Sequence, residues 1–200
     1  MKRMELVHNI LKKDWDVELL FVNDGSSDNT HDLIENYASQ YPFVRVVHHK
    51  KNMNLGAAVR TGIKEASGDV IVTNDADCTY PPEEIPLLLA HLDENTDVVA
   101  ASHYHPKGGV DNVPFYRLFL SKSVSMMYRF ITKSNIYTFT GLFRAYRADV
   151  AKSVKINSND FLGVTELMIY PLIWGYNVKE YPTVLHTRRF GSSKIKILQV

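Results

Sequence analysis

Short apolar runs and segments of helical periodicity take turns along the first half of the chain, and few folds accept that rhythm. Val17 to Val22 (VELLFV) reads as a buried strand ending in the turn-forming run Asn23-Asp24-Gly25-Ser26-Ser27-Asp28. Asp28 to Gln40 is helical in pattern, Phe43 to Val47 strand-like, and Leu55 to Ala66 helical and closed by Ser67-Gly68. Asp69 to Thr73 (DVIVT) is again strand-like, Pro82 to Leu92 helical, and Asp97 to Ala101 completes the series. Such alternation over short connections predicts an α/β fold, a mainly parallel sheet with flanking crossover helices. Sheets of this type usually begin with a strand whose carboxyl end helps form the ligand crevice. Here Met1 to Lys13 comes first, with Leu6, Val7, Ile10 and Leu11 at helical spacing, so the pattern predicts that an opening N-terminal strand is missing.

After Ser102 the rhythm changes. His103 to Val113 reads as a loop, Pro114 to Lys133 as a long segment rich in Phe, Met and basic residues, and Phe139 to Tyr146 as a strand. Phe161 to Trp174 is helical, and two short strands follow, Asn177 to Tyr181 and Val184 to Arg188. A chain of 200 residues suits one domain with a sizeable core. Its 23 basic and 22 acidic residues nearly cancel, which argues against wholesale nucleic-acid binding. The single cysteine, Cys78, excludes an internal disulfide and suits a reducing compartment. No apolar run reaches the roughly 18 residues that a membrane span needs. Met1 to Lys13 carries no small-residue cleavage site and reads as an amphipathic helix, not a signal peptide.

Three short stretches carry chemistry. Asn74-Asp75-Ala76-Asp77 follows the strand Asp69 to Thr73, and two carboxylates one residue apart at a strand end can reach the same point when the chain turns. They offer hard oxygen ligands for Mg²⁺ or Mn²⁺, an ion that holds nucleotide phosphates and offsets charge on a departing diphosphate. The same residues would also make a solvated acidic turn capping the next helix. Val22 to Thr30 (VNDGSSDNT) lies at another strand end: Gly25 permits a tight turn, Asp28 can cap a helix, and Asn23 and Asp24 sit where a side chain could read a nucleobase edge. A capped turn explains these residues equally. In Asn52 to Gly62 (NMNLGAAVRTG), small residues open a helix and Arg60 lies where it can meet a phosphate, although tight helix–sheet packing gives the small residues the same reason.

The order of the three is specific. It resembles family 2 glycosyltransferases of the GT-A fold, and within them the dolichol-phosphate mannose synthase-like, or polyprenyl-phosphate glycosyltransferase, branch. That family shows a DDGSxDxT-type turn, then NxGxxxAxRxG, then GDxxxxxDADxxxxPE, here Gly68 to Glu83. Ala101-Ser102-His103-Tyr104 with Gly108-Gly109, Thr140 to Arg147, Glu166 with Gly175-Tyr176 and Glu180-Tyr181-Pro182, and Arg188 to Lys194 continue the likeness. The resemblance implies one catalytic domain over 1–200, with a nucleotide-binding half to about 102 and an acceptor-binding half from about 103. It implies metal ligation by Asp75, Asp77 and Thr79, and substrate contacts from Asn23, Asp24, Asn54, Arg60, Asn74, Asp75, Arg144, Arg189, Ser193 and Lys194. Asp77 and Glu166 are the implied catalytic residues. Three departures stand out. The family's opening strand with its P-x-YNE turn is absent, His103 replaces an arginine, and Thr79 replaces a glutamine.

Many family 2 enzymes deprotonate a sugar hydroxyl with the Asp of a Glu-Asp pair; here that stretch reads Gly163-Val164-Thr165-Glu166. A hydroxyl needs a general base, whereas a lipid phosphate is already anionic at neutral pH. A polyprenyl phosphate is therefore the expected acceptor and a nucleoside-diphosphate sugar the expected donor, with inversion at the anomeric carbon. Arg117, Arg129, Lys133, Arg144, Arg188, Arg189 and Lys194 would then meet phosphate or serve as surface charges. Pro114 to Lys133 would lie at a membrane surface or form a core helix. The resemblance implies a peripheral position at the cytoplasmic membrane face and leaves room for a membrane-embedded partner subunit. A glycan-hydroxyl acceptor and a non-catalytic nucleotide- or head-group-binding module are the competing readings.

Overall fold

The computed structural model of the protein describes residues 2–187. α1 (Lys2–Leu11) leads into β1 (Leu19–Asn23); α2 (Thr30–Gln40) joins β1 to β2 (Val44–His48), and α3 (Leu55–Glu65) leads to β3 (Val70–Thr73). The expected helix over Pro82 to Leu92 is a 3-10 turn at Pro82–Glu84 followed by α4, only Ile85–Leu89. Pro82 and Pro86 have no N–H to give, so each suits the start of a helical turn and neither suits its middle. β4 (Val98–Ser102), β5 (Gly109–Val110) and the long α5 (Phe115–Thr132) follow. β6 (Arg144–Arg147), α6 (Ala148–Ser153), α7 (Leu162–Ile173), β7 (Val178–Pro182) and β8 (Val184–Leu185) complete the described chain.

The larger sheet has the order β3-β6-β4-β7. β6 lies between β3 and β4 and runs antiparallel to both, while β4 and β7 are parallel. A strand from after residue 102 is thus inserted between two strands from before it. Only the end of the expected Phe139 to Tyr146 strand joins the ladder; Phe139 and Phe143 are fully buried without belonging to it. β1 and β2 form a separate parallel pair, as do β5 and β8.

The core is deepest where β4 and β6 meet, at Val98, Val99, Ala145 and Tyr146. On one face α3, α6 and α7 cover the sheet through Val59, Ile63, Val150 and Leu167; on the other α1 and α4 cover it through Val7, Ile85 and Leu88. α3 and α7 approach at glycines. A Cβ on Gly56 would meet the Ser158 carbonyl oxygen at 2.4 Å, and one on Gly163 would meet the same oxygen at 2.6 Å. Close packing is thus the role the structure gives the small residue that opens α3.

Candidate active site

The carboxyl ends of β1 and β3 open onto one cavity of about 2710 Å³. β3 delivers the acidic turn. Asn74 folds its side-chain oxygen back onto the Asp75 N–H at 2.9 Å, and Asp77 takes the Thr79 N–H at 3.1 Å. Cys78 holds a left-handed backbone with φ 57°, which tightens the turn. Asn74, Asp75, Asp77 and Thr79 all line the cavity and all are partly exposed. The Thr79 carbonyl accepts the His186 N–H at 3.0 Å, so the chain beyond β8 is tied to this turn. Among the described residues no cluster of three or more His, Cys, Asp or Glu side chains could hold a metal ion. Asp75 and Asp77, two carboxylates at an open cavity wall, are the residues that would offer oxygen ligands to a hard cation.

β1 delivers Asn23 and Asp24: Asn23 braces its own turn and the end of β2, and Asp24 ties that turn to the loop after β2. Asn23 is 6 % exposed, accepts the Ser26 N–H at 3.0 Å and donates to His48 Nδ1 at 3.0 Å. One Asp24 oxygen lies 2.7 Å from His49 Nδ1 and accepts the Met53 N–H at 2.8 Å. Asp28 takes the N–H and the hydroxyl of Thr30, the first residue of α2, on one oxygen, a local turn contact; the N-cap of α2 is Asn29, which makes no side-chain cap bond.

Asn54 and Arg60 reach across to the loop before α7. The Asn54 amide donates to Asp160 Oδ1 at 2.8 Å, and the Arg60 guanidinium to the Ile156 carbonyl and Asn159 Oδ1 at 3.1 and 2.6 Å. Asn54 and Asp160 line the cavity; Arg60 does not. Glu166 faces the same loop, where one carboxylate oxygen accepts the N–H groups of Asn157 and Ser158 at 2.7 and 3.2 Å, also away from the cavity. Arg144 is 1 % exposed. Its guanidinium donates to the carbonyls of Phe139 and Val164 at 2.6 and 2.8 Å and lies against the Tyr146 hydroxyl. Arg189, Ser193 and Lys194 lie outside the described residues.

A buried pair beside the acidic turn went unread in the sequence. Tyr80 Oη sits 2.6 Å from His103 Nδ1, and both residues line the cavity. Burial, with the Asp75 charge, pushes the Tyr80 hydroxyl far above its usual range; burial pushes His103 down to about 4. His103 is thus neutral in the folded protein at neutral pH. A folded pKa below the unfolded value means that the unfolded chain gains the proton first on acidification. The His103 contribution is therefore intact above about pH 6.5 and lost as pH falls towards about 4, a change of roughly 3 kcal/mol. Urea melts at about pH 7 and about pH 4.5 are expected to show a smaller loss in His103→Gln than in the wild type, and equal losses would remove this assignment.

On its far side the cavity is walled by α5, through Tyr116, Leu118, Ser121 and Tyr128. Ser121 Oγ meets Thr140 Oγ1 at 2.8 Å and Tyr104 donates to the Leu118 carbonyl at 3.2 Å, so α5 is fastened to the site. Its other face is bare: Phe115 and Phe130 are 81 % and 85 % exposed, and Phe119 and Met126 continue their stripe. Among the described residues no helix is long and apolar enough to cross a membrane.

Residues 4–155 match the family described as glycosyl transferase family 2. The chain is 36 % identical over 181 residues to a dolichol-phosphate mannosyltransferase of Pyrococcus furiosus, an alignment covering 90 % of this chain and 51 % of the relative. It is 34 % identical over 188 residues to a polyprenol monophosphomannose synthase of Mycolicibacterium smegmatis, covering 90 % and 70 %. The chain thus spans about half the length of the first relative. In three dimensions it is similar to the glucosyl-3-phosphoglycerate synthase of Mycobacterium tuberculosis solved with Mn²⁺, UDP and phosphoglyceric acid. That likeness has a TM-score of 0.70 at 17 % identity and covers 96 % of this chain and 66 % of the other.

Proposed function

Because this chain belongs to glycosyl transferase family 2, we propose that it transfers a sugar from a nucleoside diphosphate to a polyprenyl phosphate. The donor lies at the carboxyl ends of β1 and β3, the nucleotide-binding half to about residue 102, and the acceptor enters from the half that follows. Asp75 and Asp77 are the residues that would hold Mg²⁺ or Mn²⁺, with Thr79 beside them; when bound, the ion offsets charge on the diphosphate as it leaves. Asn74 sets the Asp75 backbone, and Asp77 keeps its place by accepting the Thr79 N–H. An acceptor phosphate oxygen attacks the anomeric carbon from the face opposite the diphosphate. The new C–O bond forms as the old one breaks, and the configuration inverts. Alignment and charge stabilisation carry such a reaction. Arg189, Ser193 and Lys194 are proposed to meet donor or acceptor phosphate.

The observation that carries the acceptor choice is the engagement of Glu166. Its carboxylate is held by two backbone N–H groups on a loop and does not line the cavity, so it is not placed to take a proton from a sugar hydroxyl. A phosphate acceptor needs no such base. The relatives' names carry the same lipid-phosphate acceptor class. The bare stripe of α5, with Lys122 and Arg129 beside it, suits an anionic membrane surface and would place the cavity next to a lipid acceptor. One observation favours the hydroxyl alternative: Asp160 lines the cavity and is the carboxylate a sugar hydroxyl would require.

The test compares donors (GDP-mannose, UDP-glucose, UDP-N-acetylglucosamine) against polyprenyl phosphate in anionic vesicles and against free oligosaccharides. Transfer to the lipid phosphate, unaffected by Asp160→Asn, is the expected result. Transfer to oligosaccharides alone, lost in Asp160→Asn, would replace the phosphate acceptor by a hydroxyl. Nucleotide binding with no transfer to either would make the domain a binding module. In the same vesicles Phe115→Ser with Phe130→Ser is expected to weaken co-sedimentation.

A further inference from the structure

The last turn of α5, the loop after it, β7 and the segment after β4 enclose a small cavity of about 310 Å³. Its polar lining is His105, Arg129, Asn135, Tyr137 and Glu180, none of which lines the larger cavity. α5 gives Ser121, Val124 and Tyr128 to the larger cavity and Arg129 to this one, so the helix stands between the two.

Three of these groups are donors in want of an acceptor. Arg129 Cζ lies 4.3 Å from the centroid of the Tyr137 ring, a cation stacked on an aromatic face. Among the described residues its guanidinium makes no hydrogen bond or ion pair, and the Asn135 amide makes no hydrogen bond. His105 meets the same ring edge-on, with centroids 5.7 Å apart, and its Nδ1 accepts the Lys107 N–H at 3.1 Å. In the neutral imidazole that contact puts the proton on Nε2, the third donor. The acid of the lining is already engaged. Glu180 Oε1 accepts the N–H groups of Tyr137 and Thr138 at 3.0 and 2.9 Å, and burial raises its carboxyl above the usual carboxylate range. A half-buried guanidinium with two neutral donors around a small opening suits an oxygen-rich anion, and phosphate is one that its planar fork matches.

The source of that phosphate follows from the place of Arg129 on its helix. Residues three and four apart share a helix face. Arg129 therefore stands between Ser125, which is buried, and Met126, which is exposed with Phe130 on the bare stripe. With that stripe in a bilayer surface, the cavity beside it lies at the level of the head groups. We infer that Arg129, with His105 and Asn135, binds the phosphate of a phospholipid head group, a lipid contact separate from the acceptor cavity. The chemistry is that of any phosphate ester; the lipid source rests on the membrane placement of α5 proposed above.

The experiment uses the whole chain with Arg129→Gln and a charge-matched control, Lys122→Gln, which removes a cation of α5 outside the cavity. Glycerol 3-phosphate is titrated in while the ring signals of His105 and Tyr137 are followed by NMR. The wild type and Lys122→Gln are expected to show the same saturable shift, and Arg129→Gln none. Partition is then measured onto vesicles of phosphatidylglycerol and phosphatidylcholine. Lys122→Gln is expected to lose about fivefold, the effect of one surface charge. Arg129→Gln is expected to lose about twentyfold or more, since charge-assisted hydrogen bonds go with the charge. Asn135→Ala, an exposed side chain with no hydrogen bond to lose, serves where Arg129→Gln melts early; it is expected to weaken glycerol 3-phosphate several-fold. No saturable shift in the wild type, or the same shift in Arg129→Gln, overturns the site. Equal losses from vesicles in Arg129→Gln and Lys122→Gln overturn the lipid source and leave a site for a soluble phosphate ester. Failure of the membrane placement abolishes wild-type partition itself, whereas failure of this site leaves it standing. No sugar donor enters either readout.

Discussion

Asp77→Ala is expected to lower sugar transfer by at least about 10²- to 10³-fold and to abolish any Mn²⁺ dependence of nucleotide binding. Asp77 sits in the turn after β3, lines the cavity and accepts the Thr79 N–H at 3.1 Å. Alanine removes both a hard anionic ligand and that turn contact, so the conservative variant decides between them. Asp77→Asn keeps an oxygen for the Thr79 N–H and loses the charge. If the carboxylate serves a cation, Asp77→Asn falls almost as far as Asp77→Ala while its Tm stays near that of the wild type. If the turn alone matters, Asp77→Asn behaves as wild type. Calorimetric titration with GDP and UDP, with and without Mn²⁺, reads the binding part directly. Normal metal-dependent turnover in both variants would remove Asp77 from the site.

Arg144→Met is expected to act on the fold, not on the donor. The guanidinium is buried and donates to the carbonyls of Phe139 and Val164 at 2.6 and 2.8 Å. Methionine fills much of the volume but leaves both carbonyls without that donor inside the protein, a change of about 3 kcal/mol or more. For a chain of this size that corresponds to a fall in Tm of roughly 6–12 °C. Arg144→Lys keeps the charge but not the planar fork that reaches two carbonyls at once, so it recovers only part of the loss. Below the melting transition, nucleotide affinity of the folded fraction should match the wild type. A variant that melts normally but has lost nucleotide binding would return Arg144 to the substrate.

The element series was legible because its signals are short-range. An apolar run and a glycine-bearing turn are read within a few residues of one another, as with Val17 to Val22 and Gly25. The acidic turn was legible for the same reason: Asn74, Asp75, Asp77 and Thr79 are set by contacts within the turn itself. The structure places all four at one opening. The engagements of the more distant candidates were not legible. Asn54 meets Asp160 across 106 residues, Arg60 meets Asn159 across 99, and Arg144 meets Val164 across 20. A charged side chain at a plausible motif position looks the same in sequence whether it faces a phosphate or a neighbouring carbonyl. The burial of Tyr80 and His103 was hidden too, since each owes its environment to strands far along the chain.

The residue order alone was enough for the α/β class, the crossover rhythm and the location of the acidic turn at a strand end. These follow from local propensity and from side-chain periods of about two and about 3.6 residues. Folding in three dimensions decided that β6 enters antiparallel between β3 and β4, and that Glu166 and Arg144 turn to backbone groups. Strand neighbours and side-chain partners are chosen by competition among groups distant in sequence, each buried polar atom taking the partner that packing brings within reach. No local pattern encodes that choice.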